Sequence, residues 1–281
     1  LDDFDNPVRK MTMGKDNINN YVKIIGNVFA DLNIWNGISA RTQFGINYGN
    51  SYSRTVDGAY VETGFRGNDK NYVRNNQSHP LNYVWTNTLS YNKSFGKHHI
   101  DAVFGSEFTR YVQEGFYASR EGLYLEDRDF AGLSVATGDE IDVSSSADEY
   151  TYFSLFAKAN YSYAGKYLLS ATVRRDGSSR FGINNKWATF PSVSAGWNFT
   201  NESFIAGKAP WLTAGKLRLS WGKNGNENIG DFRYTVLTNG GNNYYFGPEG
   251  TPQTYGSKAS GLANPDLKWE ESEQYLSLIH I

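Results

Sequence analysis

Several groups of side chains in this sequence are of types that could bind a metal or transfer a proton, and their spacing decides against most of them. His98-His99 offers two imidazoles. Neighbours on a strand point to opposite faces, however, and no second cluster of ligands accompanies them, so a pair at the edge of a turn is expected. Glu126, Asp127, Asp129, Asp139, Glu140 and Asp142 could hold calcium through their oxygens. Their spacing fits no ligand loop, and a solvated acidic surface is expected. Glu270-Glu271 invites a glycosidase reading, but adjacent carboxylates on a strand also face apart. There is no nucleophile elbow, phosphate loop, dinucleotide fingerprint or Ser-His-Asp set. With no cysteine, thiolate metal sites and disulfides are excluded. Neither an enzyme nor a cofactor is expected.

Two groups survive. Arg174, Asp176 and Arg180 form a charge cluster where a strand ends at Asp-Gly-Ser-Ser. It could touch a substrate from a watery face, or pair locally and fix a rim, and local pairing is favoured. Tyr244-Tyr245-Phe246 lies in a polar loop flanked by Gly and Asn. Such rings could stack on a sugar, seat a partner protein, or pack the loop on its neighbours.

The elements that carry these residues read as β-hairpins. Ile38, Ala40, Thr42, Phe44, Ile46 and Tyr48 alternate with Ser39, Arg41, Gln43, Gly45, Asn47 and Gly49. Val22, Ile24, Val28, Ala30, Leu32 and Ile34 oppose Lys23, Asn27, Asp31 and Asn33 in the segment before, and Asn36-Gly37 between them is a strong hairpin turn. Further hairpins are expected for Leu81–Phe95 with Ile100–Tyr111, and for Phe153–Tyr163 with Tyr167–Arg175. Val193–Phe199 followed by Leu217–Trp221 brings the count to about eight strands, with a ninth starting near Leu267. Phe29, Val84, Val103 and Phe156 fall on polar faces, and Asn87 on an apolar one.

Tight turns at 35–37, 96–98 and 164–166 alternate with long loops near 50–80, 112–150, 177–190 and 222–266; the link at 200–215 blurs the scheme. Short turns on one side and long loops on the other mark an outer-membrane barrel. Tyr21, Trp35, Tyr48, Tyr83, Tyr91, Tyr163 and Tyr167 are placed near strand ends, as interfacial girdles require. Composition agrees: aromatics make up 16% of the 281 residues, yet only 39% are hydrophobic. One lipid face and one wet face per strand produce that combination. A net charge of −2 gives no basis for nucleic-acid binding.

The stretch Arg174-Arg175-Asp176-Gly177-Ser178-Ser179-Arg180-Phe181-Gly182 resembles the SusC/RagA family of TonB-linked outer-membrane transporters. So do Asn185-Lys186-Trp187, Phe190-Pro191-Ser192-Val193-Ser194-Ala195-Gly196-Trp197, Leu217 through Asn226 and Asn264-Pro265-Asp266-Leu267-Lys268-Trp269-Glu270, in the family's order. The resemblance implies an all-β, antiparallel transmembrane barrel of the 22-stranded type, of which residues 1–281 would supply eight or nine strands. It further implies import of a glycan or peptide, a SusD-like surface lipoprotein as lid, and energy from TonB through a plug domain. Plug, TonB box and closing C-terminal strands are expected to lie outside this sequence. Membrane lipid and lipopolysaccharide would meet the apolar face.

Two rivals lack those motifs: a complete small outer-membrane barrel with a structural or adhesive role, and a soluble secreted glycan-binding β-protein. Leu276-Ser277-Leu278-Ile279-His280-Ile281 departs from the two-faced pattern. It is expected to be a read-through artefact rather than native sequence.

Overall fold

The computed structural model describes residues 7–15, 17–63, 66–127, 129–205, 208, 211–241, 243–248 and 253–281. A short helix, α1 (Pro7–Gly14), precedes the strands β1 (Ile18–Trp35), β2 (Ile38–Asp57), β3 (Tyr60–Thr63), β4 (Arg66–Asn68) and β5 (Tyr72–Phe95). Then come β6 (His98–Glu121), β7 (Ile141–Tyr163), β8 (Tyr167–Ser178), β9 (Trp187–Trp197) and β10 (Lys216–Asn226). The minor strands β11 (Thr238–Gly240) and β12 (Ser257–Ala259) precede β13 (Glu270–His280). Nine strands form one open sheet in the order β1-β2-β5-β6-β7-β8-β9-β10-β13, while β3-β4 and β11-β12 pair separately. The ninth strand anticipated near Leu267 starts at Glu270.

The chain divides into two compact units. One comprises Asn27–Phe44, Val84–Arg110 and Tyr150–Ile281. Its tight turns follow Trp35, Phe95 and Tyr163, where Gly37, Gly96 and Gly165 take positive φ. Along β8, Tyr167, Leu169, Ala171, Val173 and Arg175 are exposed, whereas Leu168, Ser170, Thr172, Arg174 and Asp176 are partly or fully covered. Apolar residues thus face outward and polar ones inward, the inverse of a water-soluble sheet.

Aromatics that break this rule have partners on the next strand. Phe29 lies beneath the Arg41 guanidinium, 4.8 Å from its ring centre, and Arg41 in turn grips Asp31 at 2.6 Å. The Phe156 ring fills the space a side chain at Gly105 would need.

The other unit comprises Leu1–Gly26, Gly45–Tyr83 and Tyr111–Glu149. Here the structure corrects the loop assignments. Residues 50–57, 72–80, 112–121 and 141–150 are strand, so β5 and β6 reach 24 residues each and β7 reaches 23. Crossing a bilayer takes roughly 9–11 residues of tilted strand. The remainder is mostly polar with scattered apolar residues such as Val73, Phe116 and Val143, which breaks the alternation while leaving backbone pairing intact. Tyr48 and Tyr83 consequently lie within strands rather than at their ends.

The connection after β6 buries its Leu123, Ala131 and Ala136 against Val56 and Val73. Asn71 ties it down, accepting from Leu123 N at 2.7 Å and donating to Leu123 O at 2.9 Å. The acidic set disperses: Glu126 accepts from Ala59 N and from Asn71, while Glu140 and Glu121 grip Lys70 at 2.7 and 2.9 Å. Those two carboxylates, Glu140 first, raise the Lys70 pKa above its ordinary value.

Between β8 and β9 only 179–186 is loop, again shorter than the 177–190 expected. Residues 222–226 belong to β10, and 238–240 pair with 257–259. β13 runs through Leu276–His280 in register with β10. Ser220 faces Leu276 and Arg218 faces Leu278. Both leucines therefore sit on the polar side, where β8 to β10 place hydroxyls and cations.

Candidate functional site

The polar face is organised by register. Ser154 opposes Asp176 and Phe156 opposes Arg174, which sets Ser154, Arg174 and Asp176 on one surface. Arg174 Nε donates to both Asp176 oxygens at 2.7 and 3.0 Å. Its Nη2 donates to Ser154 Oγ at 2.9 Å and reaches Glu107 Oε1 at 3.5 Å. Thr86 Oγ1 completes the row by donating to Glu107 at 3.2 Å.

A second row runs nearer the turns. Asn92 and Asn160 both donate to Asp101, at 3.3 and 3.0 Å, and Ser170 Oγ donates to Asn160 Oδ1 at 2.7 Å. Each row crosses β5 to β8 and satisfies its buried polar atoms laterally.

Arg180 does not join Arg174 and Asp176. It turns to the β10–β13 connection, where Nε meets Asp231 at 2.9 Å and Nη1 meets Glu227 at 3.5 Å, with the Tyr150 ring centre 4.1 Å away. Ser178 Oγ donates to the same Glu227 at 2.5 Å. Beneath this network Phe181, Phe190 and Trp269 are buried together, with Tyr152, Ile229 and Leu267 against them. Trp269 Nε1 donates to Lys186 O at 3.1 Å. The family-like stretches around 180 and 269 are thereby joined as one knot at the strand ends. Glu107, Glu227 and Asp231 were not singled out from sequence. They are ordinary acids in polar stretches, and only strand register and loop closure reveal their partners.

Tyr244, Tyr245 and Phe246 are 63%, 58% and 75% exposed, so they bury little against neighbouring loops. A two-way backbone bridge between Tyr244 and Thr254, at 3.0 and 2.9 Å, holds the segment. The Tyr244 and Phe246 rings meet edge to face at 4.8 Å.

The histidines part as strand neighbours must: His99 Nδ1 bonds Ser94 Oγ at 3.0 Å, and His98 Nδ1 bonds the Tyr161 hydroxyl at 2.7 Å. Glu270 accepts from Asn226, and Glu271 approaches Lys223.

A clasp sits on the short-turn side, in the β9–β10 link. Glu202 accepts from Tyr167 OH at 2.7 Å, Lys166 Nζ at 2.9 Å and Trp197 Nε1 at 3.3 Å. These donors, Tyr167 foremost, hold its carboxyl below the ordinary 4.5. A depressed folded-state pKa stabilises above the unfolded value, and that stabilisation drains away as pH falls through the folded one. Glu202→Gln should therefore unfold at lower denaturant than the parent above pH 4.5, with the gap closing on acidification. Urea titrations across that range would show it; a gap independent of pH would contradict the assignment.

Comparison with known proteins points one way. The family model described as "TonB dependent receptor-like, beta-barrel" matches residues 5–276. TonB-dependent receptor P3 of Formosa agariphila is 31% identical across 97% of this chain, and 26% of its own length is covered. TonB-dependent receptor SusC of Bacteroides thetaiotaomicron is 30% identical across 95% of the chain, again with 26% of its length covered. Among solved structures, the RagAB peptide transporter superposes with a TM-score of 0.78 at 27% identity, over 94% of this chain and 29% of that one. The chain thus spans about a quarter of the length of these curated relatives.

Proposed function

Since the chain belongs to the TonB-dependent receptor-like β-barrel family and forms nine strands of an outer-membrane barrel wall, we propose that it serves a transporter importing oligosaccharide or peptide. The observation that carries this reading is the pair of polar rows across β5 to β8. They turn one face of a membrane-type sheet into a hydrated wall that a polar solute can pass. In this reading Arg174 and Asp176 fix that wall, Arg180 fixes the rim, and neither pair is spent on substrate. A SusD-like lipoprotein closes the outer mouth, and TonB supplies energy through a plug carried elsewhere in the protein.

Capture falls to Tyr244, Tyr245 and Phe246. Their exposed rings, held by backbone pairing, suit the apolar face of a sugar or a peptide side chain, or the lid's underside. Alanine at all three positions in the full-length transporter should weaken substrate or lid binding about tenfold while leaving the barrel folded. Binding to detergent-solubilised protein, with candidate glycans, peptides and the lid in separate arms, is the measurement. Unchanged binding in every arm would remove these rings from the pathway.

A further inference from the structure

We propose that the lipid-facing side of β5 to β9 holds one molecule of a phosphorylated, acylated glycolipid of the outer leaflet, seated in a groove and anchored by Arg175. The groove has a volume of about 550 Å³ and is lined by Leu89, Ala102, Phe104, Ala157, Ala171 and Val193 among others. Ala102, Ala157, Ala159 and Ala171 leave room between the larger Leu89, Phe104, Val173 and Val193 side chains. Its place in the membrane band identifies the filling as hydrocarbon.

The groove alone would accept any acyl chain; its outer end is selective. Val173 opposes Pro191 in the lining, and Arg175 is the next residue on the same face, opposite Thr189. That step along a strand is roughly 7 Å. The Arg175 guanidinium lies 5.5 Å from the Trp187 ring centre and has no ion pair among the described residues. Trp187 meets Phe153 edge to face at 6.1 Å, forming an aromatic pair at the end of the band away from the tight turns. In barrels the short turns are periplasmic, so this is the outer interface.

An uncompensated cation on the lipid side of that interface, stacked on an indole, calls for an anion with two oxygens in one plane. Phosphate on an outer-leaflet glycolipid supplies it, and that molecule's own acyl chain reaches the groove below. Arg174 and Arg180 have carboxylate partners and face elsewhere, so Arg175 is the arginine of this stretch left for a lipid.

The test uses full-length transporter purified in detergent, with native mass spectrometry against purified lipopolysaccharide, its dephosphorylated form and phosphatidylethanolamine. Arg175→Gln should weaken lipopolysaccharide retention about tenfold and abolish the preference for the phosphorylated form. Ala171→Leu, which fills the groove without touching charge, should weaken retention of both glycolipid forms. Heat-dependent gel mobility confirms that each variant is a folded barrel. Equal retention of all three lipids by the parent, or parent-like selectivity in both folded variants, overturns the proposal. Substrate uptake is not the readout, so the outcome stands apart from the transport reading.

Discussion

Replacing Trp269 by alanine is expected to cost about 3–5 kcal/mol, the usual loss for a large buried aromatic. Trp269 is 5% exposed, with the Phe181 and Phe190 ring centres at 5.2 and 5.4 Å and Tyr152 at 6.0 Å. Tyr152 and Phe190 are held by β7 and β9, so they cannot collapse far into the vacancy. The loops 179–186 and 227–269 should become sensitive to protease, while the tight turns at the other strand ends stay protected. Trp269→Phe keeps most of the apolar volume and drops the bond to Lys186 O, so its loss should be only about 1 kcal/mol. Leu262→Ala, at a position 97% exposed, serves as the silent control. Urea unfolding in detergent with limited proteolysis decides the matter; a parent-like midpoint for Trp269→Ala would show that the knot does not hold the rim.

Arg180→Ala should be nearly as damaging, at about 3 kcal/mol, because it strands two partly buried acids rather than removing one attraction. Arg180 and Asp231 have side chains 16% and 14% exposed, and Glu227 is held beside them by Ser178. Removing Asp231 as well relieves part of that penalty. The double variant should therefore lose less than the sum of the single losses, by roughly 1–3 kcal/mol. A double-mutant cycle on unfolding free energy reads this directly. Strict additivity would mean that solvent already screens the pair.

Much of this architecture is written along single strands. Alternation from Ile38 to Tyr48 and from Tyr167 to Val173 gave the lipid-facing surface, and Asn36-Gly37 gave a turn whose glycine has φ 85°. Legibility failed where a second strand was needed to interpret the first. Phe29 and Phe156 look misplaced until Arg41 and Gly105 are brought alongside. The outer parts of β5, β6 and β7 look like loops because only scattered positions such as Val73 are buried there, too few to impose an alternating pattern, although their backbones pair. The same limit applies to the charges. Arg174 and Asp176 are two residues apart on one face and could be paired by inspection. Arg180 meets Asp231 only because 179–186 and the β10–β13 connection fold over the same aromatic cluster.

The clasp around Glu202 also bears on the order in which the wall is assembled. Asn198 and Asn201 donate to Gly165 O at 2.7 and 3.1 Å, so the β9–β10 link grips a turn made earlier in the chain. Glu202 and Tyr167 are 35 residues apart, whereas Trp269 and the Lys186 carbonyl are separated by 83. The longer closure carries an extra entropic cost of roughly 0.8 kcal/mol and must await the end of the β10–β13 connection. Nascent β7, β8 and β9 can therefore set as a unit at their short-turn ends while their opposite ends are still unfastened. Along this stretch the wall would set from its short-turn ends outward, with the Trp269 knot closing after the Glu202 clasp.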